Sequence, residues 1–313
     1  SKLFYCDVNT GSATNFYTED DKAWIDIKSR WNNDDPTGWE WLNNGKDFLW
    51  VSEKDGWRHI FLVSRDGKKE TLITKGNYDI AHIKCIDDKN NYVYFMASPN
   101  NATQLYLYRV KMDGKGKLEL LSPANMVGTH DYNISPGAKY AMHSFSNYKT
   151  LPAREWISLP GHKPLDANKS IAKTMKVNEN SNIEYFKVTT DNNITLDGWM
   201  VKPDNFDSTK KYPVVFFVYG EPASSTVGDR YRAQSNFLYN GNMSKDGYIQ
   251  ISVDNRGTPS LRGAAWRKSI YGQIGRLNIH DQAMAAKKLF AENSYLDTSR
   301  VAVWGWSGGG SST

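Results

Sequence analysis

At 313 residues, 39% of them hydrophobic and 13% aromatic, the chain is longer than one ordinary domain and carries enough apolar area for two cores. Its net charge of +5 comes from Lys and Arg spread along the sequence in nothing longer than pairs such as Lys68-Lys69, which describes a solvated surface and not a nucleic-acid footprint. No apolar run approaches the roughly eighteen residues of a membrane-spanning helix, and Ser1-Lys-Leu-Phe-Tyr is neither a start methionine nor a signal peptide.

The first half repeats. Phe48-Leu-Trp-Val-Ser, Tyr92-Val-Tyr-Phe-Met and Lys139-Tyr-Ala-Met-His begin equivalent strands about 45 residues apart, the period of four-stranded propeller blades. A second strand, an Asp-Gly turn and a third strand follow in register: Arg58–Val63, Asp66-Gly67 and Glu70–Thr74, then Gln104–Tyr108, Asp113-Gly114 and Leu118–Leu121. Leu3–Val8 aligns with the second-strand pattern, so the chain is expected to open midway through a blade and to form an open arc. Cys6 and Cys85 lie in strand-like segments and are expected as buried thiols. The six histidines lack ligand spacing, so no metal and no cofactor is expected.

From about Ser181 the pattern changes, which divides the chain into residues 1–180 and 181–313. Ile183–Val188 and Ile194–Val201 flank Asp191-Asn-Asn and predict a hairpin. Tyr212–Tyr219 is a continuous apolar run, as a strand buried on both faces of a parallel sheet requires, and Tyr248–Val253 is a further strand. A helix is predicted between Asn278 and Asn293, with Asn278 as its N-cap, Asp281 in its first turn, and Ala283, Ala286, Leu289 and Phe290 on one face.

That helix delivers the chain to Arg300-Val-Ala-Val-Trp304 and then to Gly305-Trp-Ser307-Gly-Gly309. A short apolar strand running into Gly-x-Ser-x-Gly is the pattern of a nucleophile elbow, in which flanking glycines let a strained serine stand clear of a tight strand-to-helix crossing. A Gly/Ser linker would not begin inside a strand, and a phosphate loop needs a Gly-Lys-Ser/Thr ending that Gly310-Ser-Ser does not supply. Only six residues follow Ser307, none of them acidic or histidine. Since the triad order on such a sheet is Ser, acid, His, the chain is expected to hold the nucleophile without its base and to be inactive alone.

With Tyr219-Gly-Glu-Pro222, Asp254-Asn-Arg-Gly257 and Gly305-Trp-Ser307-Gly-Gly309 placed after the repeats, the chain resembles the prolyl oligopeptidase family, dipeptidyl peptidase IV branch. Ser52-Glu-Lys-Asp-Gly-Trp-Arg-His-Ile, Ile73-Thr-Lys-Gly76 and Lys210-Lys-Tyr-Pro213 extend the likeness along nearly the whole chain. The fold implied is a partial β-propeller of antiparallel blades followed by a partial α/β-hydrolase with a mostly parallel sheet. The activity implied is that of a serine exopeptidase that removes short peptides from peptide or protein N-termini, often after proline. A homodimer, and a periplasmic, extracellular or membrane-anchored location, are also implied for the full-length protein. Ser307 becomes the acylated nucleophile, with the Tyr219 hydroxyl and the Gly308 backbone N–H as oxyanion donors. Trp306, Glu221, Arg30 and Trp31 become candidate substrate contacts, and Gly305, Gly309, Asp254 and Arg256 structural neighbours, the last two as an ion pair within their own loop.

Two residues depart from the family pattern. Gly308 stands where relatives often carry the tyrosine that lines a proline pocket, which leaves proline selectivity open. Glu221 replaces a small residue and is read as a surface charge. The acidic pair that grips a free N-terminus in this branch is expected upstream of Ser1; Asp34-Asp35 is not that pair and reads as a loop. A carboxylesterase would share the elbow without the repeats, and a non-catalytic propeller binding module would share the repeats without the elbow.

Overall fold

The computed structural model describes residues 1–26, 39–179 and 181–313. The expectations for Arg30, Trp31 and Asp34-Asp35 therefore lie outside the described residues. The chain divides into two compact units. The first comprises Ser1–Phe145, Arg154–Thr174 and Leu261–Ala264; the second comprises Ser146–Ala153, Met175–Ser260 and Ala265–Thr313.

In the first unit, β1 (Lys2–Cys6) and β2 (Ala13–Thr18) form an antiparallel ribbon. Three four-stranded sheets follow, each with its strands in chain order. The first blade is β3 (Trp39–Leu42), β4 (Asp47–Ser52), β5 (His59–Ser64) and β6 (Glu70–Leu72). The second is β7 (Ile80–Asp87), β8 (Tyr92–Ala97), β9 (Tyr106–Lys111) and β10 (Glu119–Leu120). The third is β11 (Thr129–Ile134), β12 (Tyr140–Ser146), β13 (Ala153–Ser158) and β14 (Lys163–Pro164), followed by the single turn α1 (Ile171–Thr174). The repeats read from the sequence thus begin at the second strand of each blade. The first strands β3, β7 and β11 lack so regular an apolar signature.

Period-two alternation explains why the blades stack. In β4, Phe48 and Trp50 point into the cluster shared with Leu3, Phe16 and Tyr17 of the ribbon, while Leu49 and Val51 point into the cluster shared with Ile80, Ile83, Val93 and Phe95. In β8 the same alternation sends Val93 and Phe95 one way and Tyr94 and Met96 the other, toward Tyr132, Ala141 and Ile157 of the third blade. The Asp-Gly turns sit where expected, with Gly67 and Gly114 both at φ +72. A β-carbon at Gly67 would come within 2.0 Å of Phe16 O, so this turn also needs glycine for close approach to the ribbon. Of the two thiols, Cys85 is buried as expected, but Cys6 is exposed because the ribbon is covered on one face only.

The histidines also depart from expectation. Residues far apart in sequence meet on one face of the third blade, where His130, His143 and His162 gather around Glu155 and Tyr132. Loss of hydration on burial pushes His130 down to about 3 and His162 down to about 4.

The second unit contains a five-stranded sheet ordered β15-β16-β18-β17-β19, from β15 (Ile183–Thr189), β16 (Thr195–Val201), β17 (Tyr212–Phe217), β18 (Ile249–Asp254) and β19 (Leu296–Trp304). The predicted hairpin is β15–β16, closed through Asn193 at φ +59. It contributes antiparallel pairing, whereas β17 pairs parallel with both β18 and β19. The short helix α2 (Ala264–Lys268) and the long helix α3 (Leu277–Glu292) precede β19.

Three expectations are corrected by this arrangement. The strand buried along its whole length is β18, whereas β17, which also has neighbours on both sides, buries Val214 and Phe216 and leaves Val215 and Phe217 half covered. In β19, Val301 and Val303 are exposed, because the sheet face they project from is left uncovered at the last strand in the sheet order. The face of α3 turned to the core carries Asn278, Asp281, Ala285 and Leu289, so Ala283 is exposed; Arg276 takes the N-cap position and Asp281 lies beyond the first turn. Among the described residues no helix is long and apolar enough to cross a membrane.

Candidate active site

Parallel pairing brings the carboxyl ends of β17, β18 and β19 side by side, so Tyr219, Asn255-Arg256 and Ser307 all leave the same end of the sheet. The backbone at Ser307 has φ 55 and ψ −121, a left-handed conformation that a side-chain-bearing residue adopts only where its surroundings impose it. The helical turn α4 (Gly308–Ser311) starts immediately after it.

The surroundings are other backbone atoms. A β-carbon at Gly305 would lie 2.4 Å from the carbonyl of Gly309, and one at Gly309 would lie 2.3 Å from Val218 O. Strand and helix cross this closely only because both positions lack side chains. Ser307 is left exposed at the crossing, with Gly308 and Gly309 buried behind it. Gly308 opens α4, so its N–H belongs to the first-turn donors that have no carbonyl partner within the helix.

A polar network missed by sequence reasoning fixes the turn after β17 against the elbow. Ser312 Oγ lies 3.0 Å from Gly308 O and 3.2 Å from Tyr219 O, shares its proton between them, and accepts from Asn278 Nδ2 at 2.9 Å. Asn255 Nδ2 donates to Gly220 O at 3.0 Å, while Asn255 Oδ1 accepts from Gln282 Nε2 at 3.0 Å. Asn278 Oδ1 in turn accepts from Gly275 N at 2.8 Å. Asn278 is therefore not a helix cap but a link between α3 and the elbow. Asn278 and Asp281 at helical spacing with Ala285 and Leu289, polar residues on the face that carries the apolar ones, were the one sequence signal available.

Asp254 and Arg256 do not form a pair. Arg256 grips Asp281 of α3 instead, through Nε at 2.9 Å, Nη2 at 2.7 Å and its own backbone N–H at 3.1 Å. Asp254 is buried and accepts from Thr226 N at 2.8 Å, Thr226 Oγ1 at 3.0 Å and Val227 N at 3.2 Å. Side chains of strand residue 254 and loop residue 256 leave the backbone in different surroundings, so adjacency in sequence gave the wrong partner. Burial pushes the Asp254 carboxyl up to about 6, against the pull of those N–H groups and with the help of Asp197 directly opposite on β16.

Glu221 is partly buried and lies on the elbow, not out in solvent: a β-carbon at Gly308 would come within 2.5 Å of its Oε2. Trp306 is 62% exposed and meets Phe237, itself 69% exposed, edge to face at 5.6 Å. Tyr219 is half-buried at the end of β17. Ser307 Oγ has no hydrogen-bond partner among the described residues, and the neighbour of the exposed His280 is Asp281, at 3.5 Å.

Residues 1–152 match the family model of the dipeptidyl peptidase IV N-terminal region, and residues 235–313 match that of the prolyl oligopeptidase family. The protein named "Probable dipeptidyl-aminopeptidase B" from Penicillium rubens is 33% identical over 270 residues, and its namesake from Arthroderma otae 30% over 268. Each alignment covers 82% of this chain and 28% of the relative, so the chain matches little more than a quarter of their length. Dipeptidyl peptidase 4 of Porphyromonas gingivalis superposes with a TM-score of 0.81 at 27% identity, covering 98% of this chain and 42% of that one. The architecture is thus a partial β-propeller followed by a partial α/β-hydrolase sheet.

Proposed function

The chain belongs to the prolyl oligopeptidase family, in its dipeptidyl peptidase IV branch, and from that premise we propose that Ser307 is the nucleophile of a serine exopeptidase releasing short N-terminal peptides. The observation that carries this reading is the φ 55, ψ −121 backbone of Ser307 at the tip of β19, held between Gly305 and Gly309. Strain of this kind is expected where a hydroxyl must be presented clear of its own sheet.

The chemistry follows in two steps. Ser307 Oγ attacks the scissile carbonyl as its proton passes to a base; the C–N bond then breaks, and the amine of the shortened peptide leaves with that proton. Water next hydrolyses the acyl ester and frees the short peptide. Negative charge on the carbonyl oxygen is stabilised by the Gly308 N–H and the Tyr219 hydroxyl, whose backbone the Ser312 and Asn255 bonds hold in place. With Gly308 at the position after the nucleophile, the side chain packed against that position is the carboxylate of Glu221, and a strict requirement for proline before the scissile bond is not part of this reading.

Among the described residues no imidazole is hydrogen-bonded to Ser307 Oγ, and a serine hydroxyl with oxyanion donors but no base retains a small residual effect. The test is treatment with a fluorophosphonate probe followed by mass spectrometry. The full-length enzyme labels at Ser307, its Ser307→Ala variant does not, and residues 1–313 alone stay unlabelled. Labelling of the full-length enzyme at another serine would overturn the assignment.

A further inference from the structure

On the third blade, away from the elbow, side chains from three chain segments meet in a small buried cluster. His143 of β12 is fully buried, Glu155 of β13 nearly so, and His162 lies half-buried in the turn before β14. One ligand atom from each falls within 4.8 Å of the others. His162 sits at φ +48, a left-handed position that turns its ring across that of His143 at 79°, with centroids 4.7 Å apart.

Proton counting shows what this cluster lacks. His130 Nε2 lies 2.8 Å from Met126 O, a carbonyl that can only accept, so Nε2 carries the proton and a neutral His130 presents a lone pair at Nδ1. That lone pair takes the proton of His143 Nε2 at 2.8 Å. A neutral His143 then has its one ring lone pair on Nδ1, aimed at Glu155 Oε1 2.8 Å away. Two acceptors face each other there, so the chain from Met126 to Glu155 needs one positive centre beyond its two neutral imidazoles. The other carboxylate oxygen is already committed, accepting from Ile171 N at 3.0 Å.

We propose that His143, Glu155 and His162 bind a divalent transition-metal ion, of which zinc fits best, and that this ion ties β12, β13 and the turn before β14 together. Two imidazoles and one carboxylate form a donor set that suits zinc and not magnesium or calcium, which prefer oxygen alone. Bonds of about 2.1 Å in a tetrahedron separate ligand atoms by about 3.4 Å. The 2.8 Å gap between His143 and Glu155 opens slightly to reach that spacing, and the widest gap in the trio, at most 4.8 Å, closes. With the ion in place, His143 donates through Nε2 to His130, and His130 donates to Met126 O, so both rings stay neutral and every proton has an acceptor. This is the outer-shell pattern that orients a metal-bound imidazole. The Tyr132 hydroxyl, 2.9 Å from His162 Nε2 and 2.9 Å from Ser122 Oγ, closes the far side of the cluster. The gain for the fold lies at β14, a strand of two residues that pairs only with β13.

The test uses the purified protein, stripped by chelator and re-equilibrated with zinc or cobalt alone. Elemental analysis after gel filtration gives one zinc per chain, the cobalt form shows four-coordinate visible bands without thiolate charge transfer, and zinc raises the melting temperature. Cys6→Ser leaves the stoichiometry unchanged, which removes the exposed thiol as the binding group. Glu155→Gln and His162→Ala each weaken zinc binding at least tenfold. Should a variant fail to fold, the cobalt spectrum and zinc stoichiometry of the unaltered protein decide. Absence of retained zinc in that protein, or undiminished zinc in the two folded variants, would mean that a shared proton fills the position and that the cluster is a hydrogen-bond network only.

Discussion

The carboxylate of Glu221 packs against the α-carbon of Gly308, closely enough that a β-carbon at 308 would lie 2.5 Å from Oε2 and 2.7 Å from Cδ. The two departures from the family pattern are therefore one structural event, because the residue without a side chain makes room for the residue with an added one. The clash involves the far end of a flexible side chain, unlike the backbone clashes at Gly305 and Gly309. Gly308→Ala should accordingly cost no more than about 1 kcal/mol, by displacing Glu221, whereas Gly309→Ala should cost about 3 kcal/mol or more. In a double-mutant cycle, Glu221→Ala should recover the loss at Gly308→Ala and leave that at Gly309→Ala unchanged. Equal losses at the two glycines in urea unfolding would contradict this packing.

Tyr219→Phe removes one oxyanion donor and leaves the ring. In the full-length enzyme turnover should fall by roughly 10²–10³-fold, with the melting temperature nearly unchanged. Unaltered turnover would return Tyr219 to the role of a strand-end aromatic.

The Arg256–Asp281 pair joins the loop after β18 to α3, and Asp281 is only 1% exposed. Asp281→Ala should destabilise the second unit by about 3 kcal/mol, because it leaves the guanidinium without its acceptors. Replacing both residues with leucine should restore much of that loss, since an apolar pair carries no unpaired charge. A change below about 0.5 kcal/mol for Asp281→Ala would show that solvent satisfies Arg256 equally well.

Asp254 sets a pH dependence of definite sign. Its carboxyl is pushed up to about 6 in the fold, chiefly by burial, against about 3.9 in an unfolded chain. Between those values the folded state holds a proton that the unfolded state has lost. This group's contribution to stability therefore falls as pH rises from about 4 to about 6 and is level above that. The stability difference between the parent protein and Asp254→Asn should shrink across the same interval. Parallel urea midpoints for the two proteins from pH 4 to 7 would contradict the assignment.

Periodicity and glycine spacing determined much of this protein in advance. The 45-residue repeat, the alternation in Phe48–Val51 and Val93–Met96, and the hairpin of Ile183–Val201 are local patterns whose side chains can satisfy only one sheet geometry. Gly305-x-Ser307-x-Gly309 after an apolar strand is local in the same sense, since the glycines are needed by the turn itself. What only the tertiary structure decided are contacts between residues far apart in the chain. Arg256 could have met Asp254 two residues away, but the buried Asp281 of α3 offered a bidentate carboxylate, and a partly buried cation goes where its hydrogen bonds are most fully met. Asn278 looked like a cap and became a brace for Ser312, because the register of α3 against the sheet turned that amide toward the elbow. His130, His143, Glu155 and His162 carry no ligand spacing along the chain. They meet because strands a dozen or more residues apart in sequence lie about 4.8 Å apart in a blade, a distance that sequence spacing does not encode.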